Sequence, residues 1–378
     1  MPAAGPMLTD RQRLNWLRLI RTENVGPASF RALINRFGSA EAALAALPEL
    51  AAAGGAARPA RIAPEAQCAA EMEVARRHGA RFVAIGEPDY PPLLRAMELP
   101  PPLVAIKGDA GLFAAPAAAV VGARNASAGG ARMARLLAAG LGQAGFVVVS
   151  GLARGIDTAA HEAALPTGTV AVFAGGLDRP YPPENVALAQ RIAEEGVLIS
   201  EMPFGWEPRA RDFPRRNRLI AGLSLGLVAV EAARRSGSLI SARLANEMGR
   251  LVFAVPGSPL DPRAAGTNGL IREGATLVTE ARDMIEALEP LVSGGKLRAM
   301  HQGVEEEEAN LAAAPPPAEG ERALVIAALG PAPVQADELL RHTGLHPAQL
   351  AMVLLELDLA GRLERRPGGA VCLVIGDP

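Results

Sequence analysis

The sequence predicts an α/β protein: a Rossmann-like, doubly wound and mostly parallel sheet, preceded by a small helical domain and followed by a winged-helix-like domain. Three observations predict it. Short apolar, β-rich runs alternate with helical stretches through the middle of the chain, as expected where strands are buried on both faces. The opening stretch shows only helical periodicity, and three helices followed by a hairpin signature close the chain. The expected divisions are 1–63 for a SAM- or helix-hairpin-helix-like N-terminal domain and 64–290 for the core. A flexible linker over 291–318 and a winged-helix-like domain over 319–378 complete the chain.

Leu14, Trp16–Leu17 and Leu19–Ile20 give the first helix its apolar face, with Thr9 or Asp10 as N-cap. The run Glu23-Asn24-Val25-Gly26-Pro27 then reads as a tight turn into a second helix faced by Phe30, Leu33, Ile34 and Phe37. Such a turn can aim main-chain N–H groups at a phosphate, although Asn24 stands where the usual motif has glycine; a helical module packed on its neighbour fits equally. Ala51 to Arg61 reads as a linker, and Pro64 to His78 as a further helix. Strands are expected at Phe82–Ile85, Leu103–Ile106, Ala118–Val121, Phe146–Val149, Val170–Phe173, Val197–Ile199, Leu225–Val230, Leu251–Val255 and Thr276–Val278. Helices are expected between them, among others at Gly130–Ala144, Asp157–Leu165, Glu184–Glu195 and Ser238–Met248. Glu305–Glu308 and Pro315–Pro317 mark the solvated linker. In the tail, helices run from Glu319 to Leu329, Gln335 to His342 and Pro347 to Ala360, before a hairpin of Leu363–Arg366 and Ala370–Val374.

The formal charge of the 378 residues is only −2, which argues against a uniform polyanion-binding coat. Its distribution is uneven. Ala115 to Ala275 holds 17 Arg and no Lys against 13 acids, whereas His301 to Pro378 holds 5 Arg against 12 acids. The middle is basic and the tail acidic. Cys68 and Cys372 are isolated, so neither a disulfide framework nor a zinc site is expected. Met1 to Leu8 lacks a basic start followed by an apolar run, and no apolar stretch approaches the length of a membrane span. A cytoplasmic protein is expected.

Ligands of parallel α/β sheets sit beyond the carboxyl ends of the strands, where glycine turns open onto helix N-termini. Those positions read Gly122-Ala123-Arg124-Asn125, Ser150-Gly151-Leu152-Ala153-Arg154-Gly155, Gly175-Gly176-Leu177-Asp178 and Ser236-Gly237-Ser238. Glycine admits a close ligand, serine donates, and Arg124 brings a permanently charged fork suited to phosphate oxygens. The pattern points to an anion site. It lacks both the G-x-G-x-x-G dinucleotide fingerprint and a Gly-Lys-Ser/Thr phosphate loop, so no nucleotide cofactor is expected.

Pro203 to Arg218 interleaves Phe204, Trp206 and Phe213 with Arg209, Arg211, Arg215, Arg216 and Arg218, in a chain that is only 3% aromatic. Base stacking on aromatic faces beside backbone-gripping arginines suits single-stranded nucleic acid. A lid with aromatics over the sheet edge and arginines paired to Glu207 or Asp212 fits the same residues. No nucleophile–base pair or metal cluster emerges: His161 follows Asp157 by one helical turn, which a helix-face contact explains, and His78, His301, His342 and His346 have no carboxylate cluster. No catalytic residue, metal or cofactor is therefore assigned.

Taken in order, Val121-Gly122-Ala123-Arg124, Ser150 to His161, Gly176-Leu177-Asp178 with Tyr181-Pro182, Phe213 to Gly222, Ser236 to Ile240 and Val255 to Ser258 resemble the DNA processing protein A (DprA/Smf) family of natural transformation. The resemblance covers about Phe82 to Leu288. It implies a Rossmann-like core that binds single-stranded DNA, protects incoming strands, forms a homodimer near Asn268 to Met284, loads a RecA-type recombinase and has no catalytic activity. It implies DNA or phosphate contacts at Arg124, Ser150, Gly151, Gly155, Gly176, Arg218, Ser236, Gly237 and Ser238, to which the turns and the basic-aromatic stretch add Gly122, Arg154, Arg215 and Arg216. Pro183 and Glu184 follow Pro182 where many relatives are basic, which leaves that contact to Arg179 or Arg191. The tail resembles the winged-helix appendage of some members. Its third helix carries Glu356 and Asp358 and no Lys or Arg, so docking of a protein or of the core is expected rather than groove reading. Arg362, Arg365 and Arg366 keep a DNA-binding alternative open.

An enzymatic alternative is a nucleotide-processing phosphoribohydrolase on a related fold. Its glycine-rich turn ends in a catalytic glutamate, and Ser241 or a neighbour stands there instead. A protein-interaction scaffold is a third alternative.

Overall fold

The computed structural model describes residues 7–294 and 315–374. Residues 295–314, most of the expected linker, lie outside the described residues. The chain divides into two compact units, one of residues 71–294 and one of residues 8–70 together with 315–374.

The second unit begins with α1 (Asp10–Arg21), α2 (Pro27–Phe37) and α3 (Ala40–Ala53). Thr9 caps α1 in a reciprocal box with Gln12, and Ser39 caps α3. The division between the units falls inside α4 (Glu65–Arg77).

In the first unit nine strands form one sheet: β1 (Arg81–Ala84), β2 (Leu103–Gly108), β3 (Ala117–Val121), β4 (Val147–Ser150), β5 (Thr169–Val172), β6 (Val197–Ser200), β7 (Gly226–Ala229), β8 (Leu251–Ala254) and β9 (Thr276–Leu277). Their order is β1-β2-β6-β5-β4-β3-β7-β8-β9. β1 and β2 run antiparallel at one edge, and the pairings from β6 to β9 are parallel. Every expected strand is present with ends within two residues, and β3, β4 and β7 are buried along their length. The covering helices are α5 (Pro92–Arg95), α6 (Ala128–Gln143), α7 (Ile156–Ala164), α8 (Val186–Glu195), α9 (Asp212–Gly222), α10 (Gly237–Glu247), α11 (Ala265–Arg272) and α12 (Ala281–Ser293). From β3 the strand order proceeds both ways, to β4 and to β7, so a crevice opens above the carboxyl ends of the central strands.

Residues 212–218 of the basic-aromatic stretch are helical and form the first turns of α9, a helix not among those expected from the sequence. The buried residues Leu219, Ile220 and Leu223 carry the signal, hidden by the arginines that precede them. This changes the site, because successive helical residues point about 100° apart.

The second unit closes with α13 (Glu319–Ala328), β10 (Val334–Gln335), α14 (Ala336–Thr343), α15 (Pro347–Leu359), β11 (Leu363–Arg365) and β12 (Ala370–Leu373), the last strands forming a sheet in the order β10-β12-β11. The terminal segments, read from the sequence as separate modules, share a core. Ala348, Met352, Leu355 and Leu359 of α15 lie in one apolar cluster with Leu19, Phe30, Leu33 and Leu47. The opposite face of α15, with Leu350, Val353, Leu354 and Leu357, packs on α13 and the hairpin. A helix apolar all round needs neighbours on every side.

Candidate functional site

The turn after β3 presents Arg124 to solvent, its guanidinium 5.0 Å from the centre of the Phe213 ring. Gly122 beneath it is required by packing, since a Cβ there would lie 2.6 Å from Ile156. Ser127 caps α6 by accepting from Gly130, while its own N–H and hydroxyl donate to the Glu231 carboxylate at 2.9 and 2.5 Å. The start of α6 is where a dinucleotide fold seats its pyrophosphate. Here a side-chain carboxylate occupies it.

The turn after β4 is also closed from within. Ser150 is fully buried and donates to Val120 O. Gly151 and Ala153 N–H both donate to Asp157 Oδ2 at 3.2 and 3.3 Å, and Leu152 N–H donates to His161 Nε2 at 3.3 Å. Asn185 Nδ2 reaches Leu152 O, so both main-chain groups of this left-handed residue (φ +57°) are held. Gly155 (φ +78°) lets α7 start against Ala123, where a Cβ would stand 2.4 Å from the carbonyl oxygen. The open main-chain donors expected here are consumed by Asp157 and His161.

His161 Nδ1 donates to Thr169 Oγ1 at 2.7 Å, and Thr169 donates onward to Val148 O. Burial, and then the nearby Arg216 charge, pull the imidazole down to about 3, so it is neutral. Asp157 and His161 face different partners and form no pair. Burial pushes the Asp157 carboxyl up, against the pull of Arg216. Burial likewise lowers Arg216.

The helical geometry of α9 separates its arginines. Arg218 donates to Leu99 O and Glu201 at 2.5 and 3.0 Å, and exposed Arg215 lies 3.4 Å from Glu201. Both anchor α9. Arg216 turns the other way, 6% exposed, onto the backbone of Gly151, where a Cβ would sit 1.1 Å from Nη1. Its one ion pair in this site, with Asp157, is long at 3.9 Å, and its buried Nε has no hydrogen-bond partner among the described residues.

Arg124, Gly151, Arg154, Phe213 and Arg216 come together around one small pocket, with Arg179, Tyr181 and a floor of Val172 to Gly175. Arg154 lies 3.4 Å from Glu184 and Arg179 lies 3.5 Å from Asp178, both at the exposed rim. Arg191 pairs instead with Glu195 along α8.

Other expected residues lie elsewhere. Phe204 packs edge-on against Phe82 at 5.8 Å, and Trp206 donates to buried Asp212 while stacking under Arg209. The lid reading describes these two aromatics. Gly176 is buried and donates to Trp206 O, fastening that lid. Ser236 and Ser238 bond each other at 2.7 Å at the start of α10, with Asn217 donating to Gly237 O. Ser236 lines a separate groove with Arg234, Arg243 and Arg272. Sequence reasoning passed over Tyr181 as a site residue. It is 44% exposed, follows the third glycine turn and packs on Phe213 at 6.0 Å. An aromatic beside that turn was its signal.

No group of three or more metal-ligating side chains occurs among the described residues, and none of their helices is long and apolar enough to cross a membrane. The family model described as DNA recombination-mediator protein A matches residues 81–289. A DprA-like N-terminal HHH domain matches residues 10–74, and a DprA winged helix domain matches residues 309–369. A protein called Smf from Synechocystis is 33% identical over 324 residues, which is 79% of this chain and 81% of that protein. The X-ray structure of DNA processing protein A from Streptococcus pneumoniae aligns with a TM-score of 0.55 at 41% identity, covering 59% of this chain and 77% of that one. A Helicobacter pylori DNA processing protein A, whose structure concerns its single-stranded DNA binding mode, aligns with a TM-score of 0.51 at 31% identity, covering 55% and 95%.

Proposed function

The chain belongs to the DNA processing protein A (DprA/Smf) family, and on that premise we propose that its crown pocket holds the phosphate backbone of single-stranded DNA during DNA uptake. The buried Arg216 carries this reading. A guanidinium removed from water, with an unpartnered Nε and a carboxylate no nearer than 3.9 Å, is under-compensated. A phosphate in the pocket supplies the missing charge and acceptors. Arg124, Arg154 and Arg179 reach the same phosphate run from the rim, and Phe213 with Tyr181 offers ring surface to a base.

The reading is of a binding protein and not an enzyme. His161 is neutral and doubly engaged, Asp157 is committed to two main-chain donors, and Ser241 is buried where a hydrolase of related fold needs its glutamate. The strand is protected in the pocket and passed to a RecA-type recombinase in the cytoplasm, a reading supported by the match to the recombination-mediator family model. A homodimer forms through 268–284, where the two-residue edge strand β9 leaves Leu277 47% exposed. Anisotropy titrations of a labelled oligothymidylate and of its duplex test the reading. Single strands bind more tightly and lose affinity steeply with salt; equal affinity for both, or none for either, overturns it.

A further inference from the structure

We propose that α15, the third helix of the winged-helix module, docks the chain's own N-terminal domain instead of reading a DNA groove, and that this contact fixes the turn between α1 and α2 in place. The inference is independent of the crown pocket.

Three observations converge. The face of α15 that holds Ala348, Met352, Leu355 and Leu359 is buried on α1–α3, so a duplex finds no helix surface to enter. The carboxyl end of α15 then ties down the hairpin turn, whose tip residues Glu23 and Asn24 stay exposed. Asn24 Nδ2 donates to Leu359 O at 3.2 Å, and buried Ser29 donates to Asp358 Oδ2 at 2.6 Å. Within that turn Glu23 and Val25 N–H are already donated to Arg61 O and Thr22 O. Finally, the cations of the wing are spent at home. Arg362 donates to Gly54 O, Arg365 to Asp358 and Arg366 to Glu364, each at 3.0 Å.

The backbones meet most closely at Gly54, where a Cβ would stand 2.0 Å from Glu356 O. Its φ of −72° suits alanine, so Gly54→Ala adds a methyl that meets α15 and leaves the backbone of α3 unstrained. Hydrogen exchange on the full chain reads the result. The segments 22–30 and 348–360 exchange about tenfold faster or more in Gly54→Ala, with the nine-stranded sheet unchanged. Ser29→Ala, which removes one charge-assisted bond, produces a smaller acceleration in the same segments. Duplex affinity of an Arg365→Ala/Arg366→Ala chain equals that of the parent. Unaltered exchange in Gly54→Ala overturns the docking, and a tenfold loss of duplex affinity in the wing variant overturns the claim that this module does not read DNA.

Discussion

Arg124→Ala is the most direct perturbation of the crown. The side chain is exposed, and its one ring contact is with Phe213. Truncation therefore removes a cation–π contact of about 0.5–1 kcal/mol at an exposed site and leaves no buried group unpaired. Stability should move by no more than about that amount. Binding should move further. A hydrogen bond between a guanidinium and a phosphate oxygen is worth about 1.5–3 kcal/mol, and one decade of affinity is about 1.36 kcal/mol, so the loss is about 10- to 150-fold. Each neutralised phosphate on a single strand contributes about 0.7 to the slope of log affinity against log salt, so the slope becomes shallower by about that much. Anisotropy titrations between about 50 and 200 mM salt measure both quantities. The loss should be the same for strands of different sequence, because phosphates carry none. A weakened complex with an unchanged salt slope would mean that Arg124 neutralises no phosphate. Unchanged affinity would remove the pocket from the DNA path.

Gly151→Ala places a methyl 1.1 Å from Arg216 Nη1 and must expel that guanidinium; thermal unfolding should show a loss of about 3–5 kcal/mol, with weaker oligonucleotide binding. Glu184→Gln releases Arg154 from its 3.4 Å partner and removes a negative charge from the rim; single-strand affinity should rise by a few-fold, in line with the about 0.2–1 kcal/mol of an exposed pair, and a fall would refute the rim assignment. His161 stays neutral in the fold down to about 3, whereas the unfolded chain protonates near 6.5. The unfolded state therefore binds more protons between those values, and stability is lost as pH falls through that window. By pH 5 the loss is about 2 kcal/mol. The raised Asp157 carboxyl acts in the opposite sense, so the His161 contribution is read as the difference between parent and His161→Gln in denaturant unfolding at pH 7 and 5; parallel losses in both would refute it.

The strands were legible because burial on both faces writes continuous apolar runs, as in Ala117–Val121 and Val147–Ser150. The tail was legible for a different reason. Gly344, at φ +67°, and the proline opening α15 punctuate its helices. Within the site, Arg124 could be placed because a residue at the end of a central parallel strand has one place to go. The arginines of α9 could not. Whether Arg215, Arg216 and Arg218 face the pocket depends on helical phase, and composition alone gives no phase. Nor could the sequence say that Asp157, four residues beyond Ala153, folds back onto the N–H groups of its own turn. Glycine turns invite an anion in either case, whether external or the chain's own.

That distinction sets the character of binding. Glu231 fills the start of α6, and Asp157 with His161 fills the turn after β4. Five main-chain donors of the kind a nucleotide-binding fold offers to one particular phosphate, those of Ser127, Gly130, Gly151, Leu152 and Ala153, are thus already satisfied. What remains is a set of guanidiniums around an apolar floor: one fixed on Gly151, one lying over Phe213, and two at the rim. Fixed main-chain cradles select a single phosphate geometry, whereas long charged side chains adapt to successive phosphates. On the function proposed above, a strand of any sequence satisfies such a surface, and binding is governed by charge and salt more than by base identity. On the same proposal, the sheet that would otherwise present a cofactor site presents a track for a polymer.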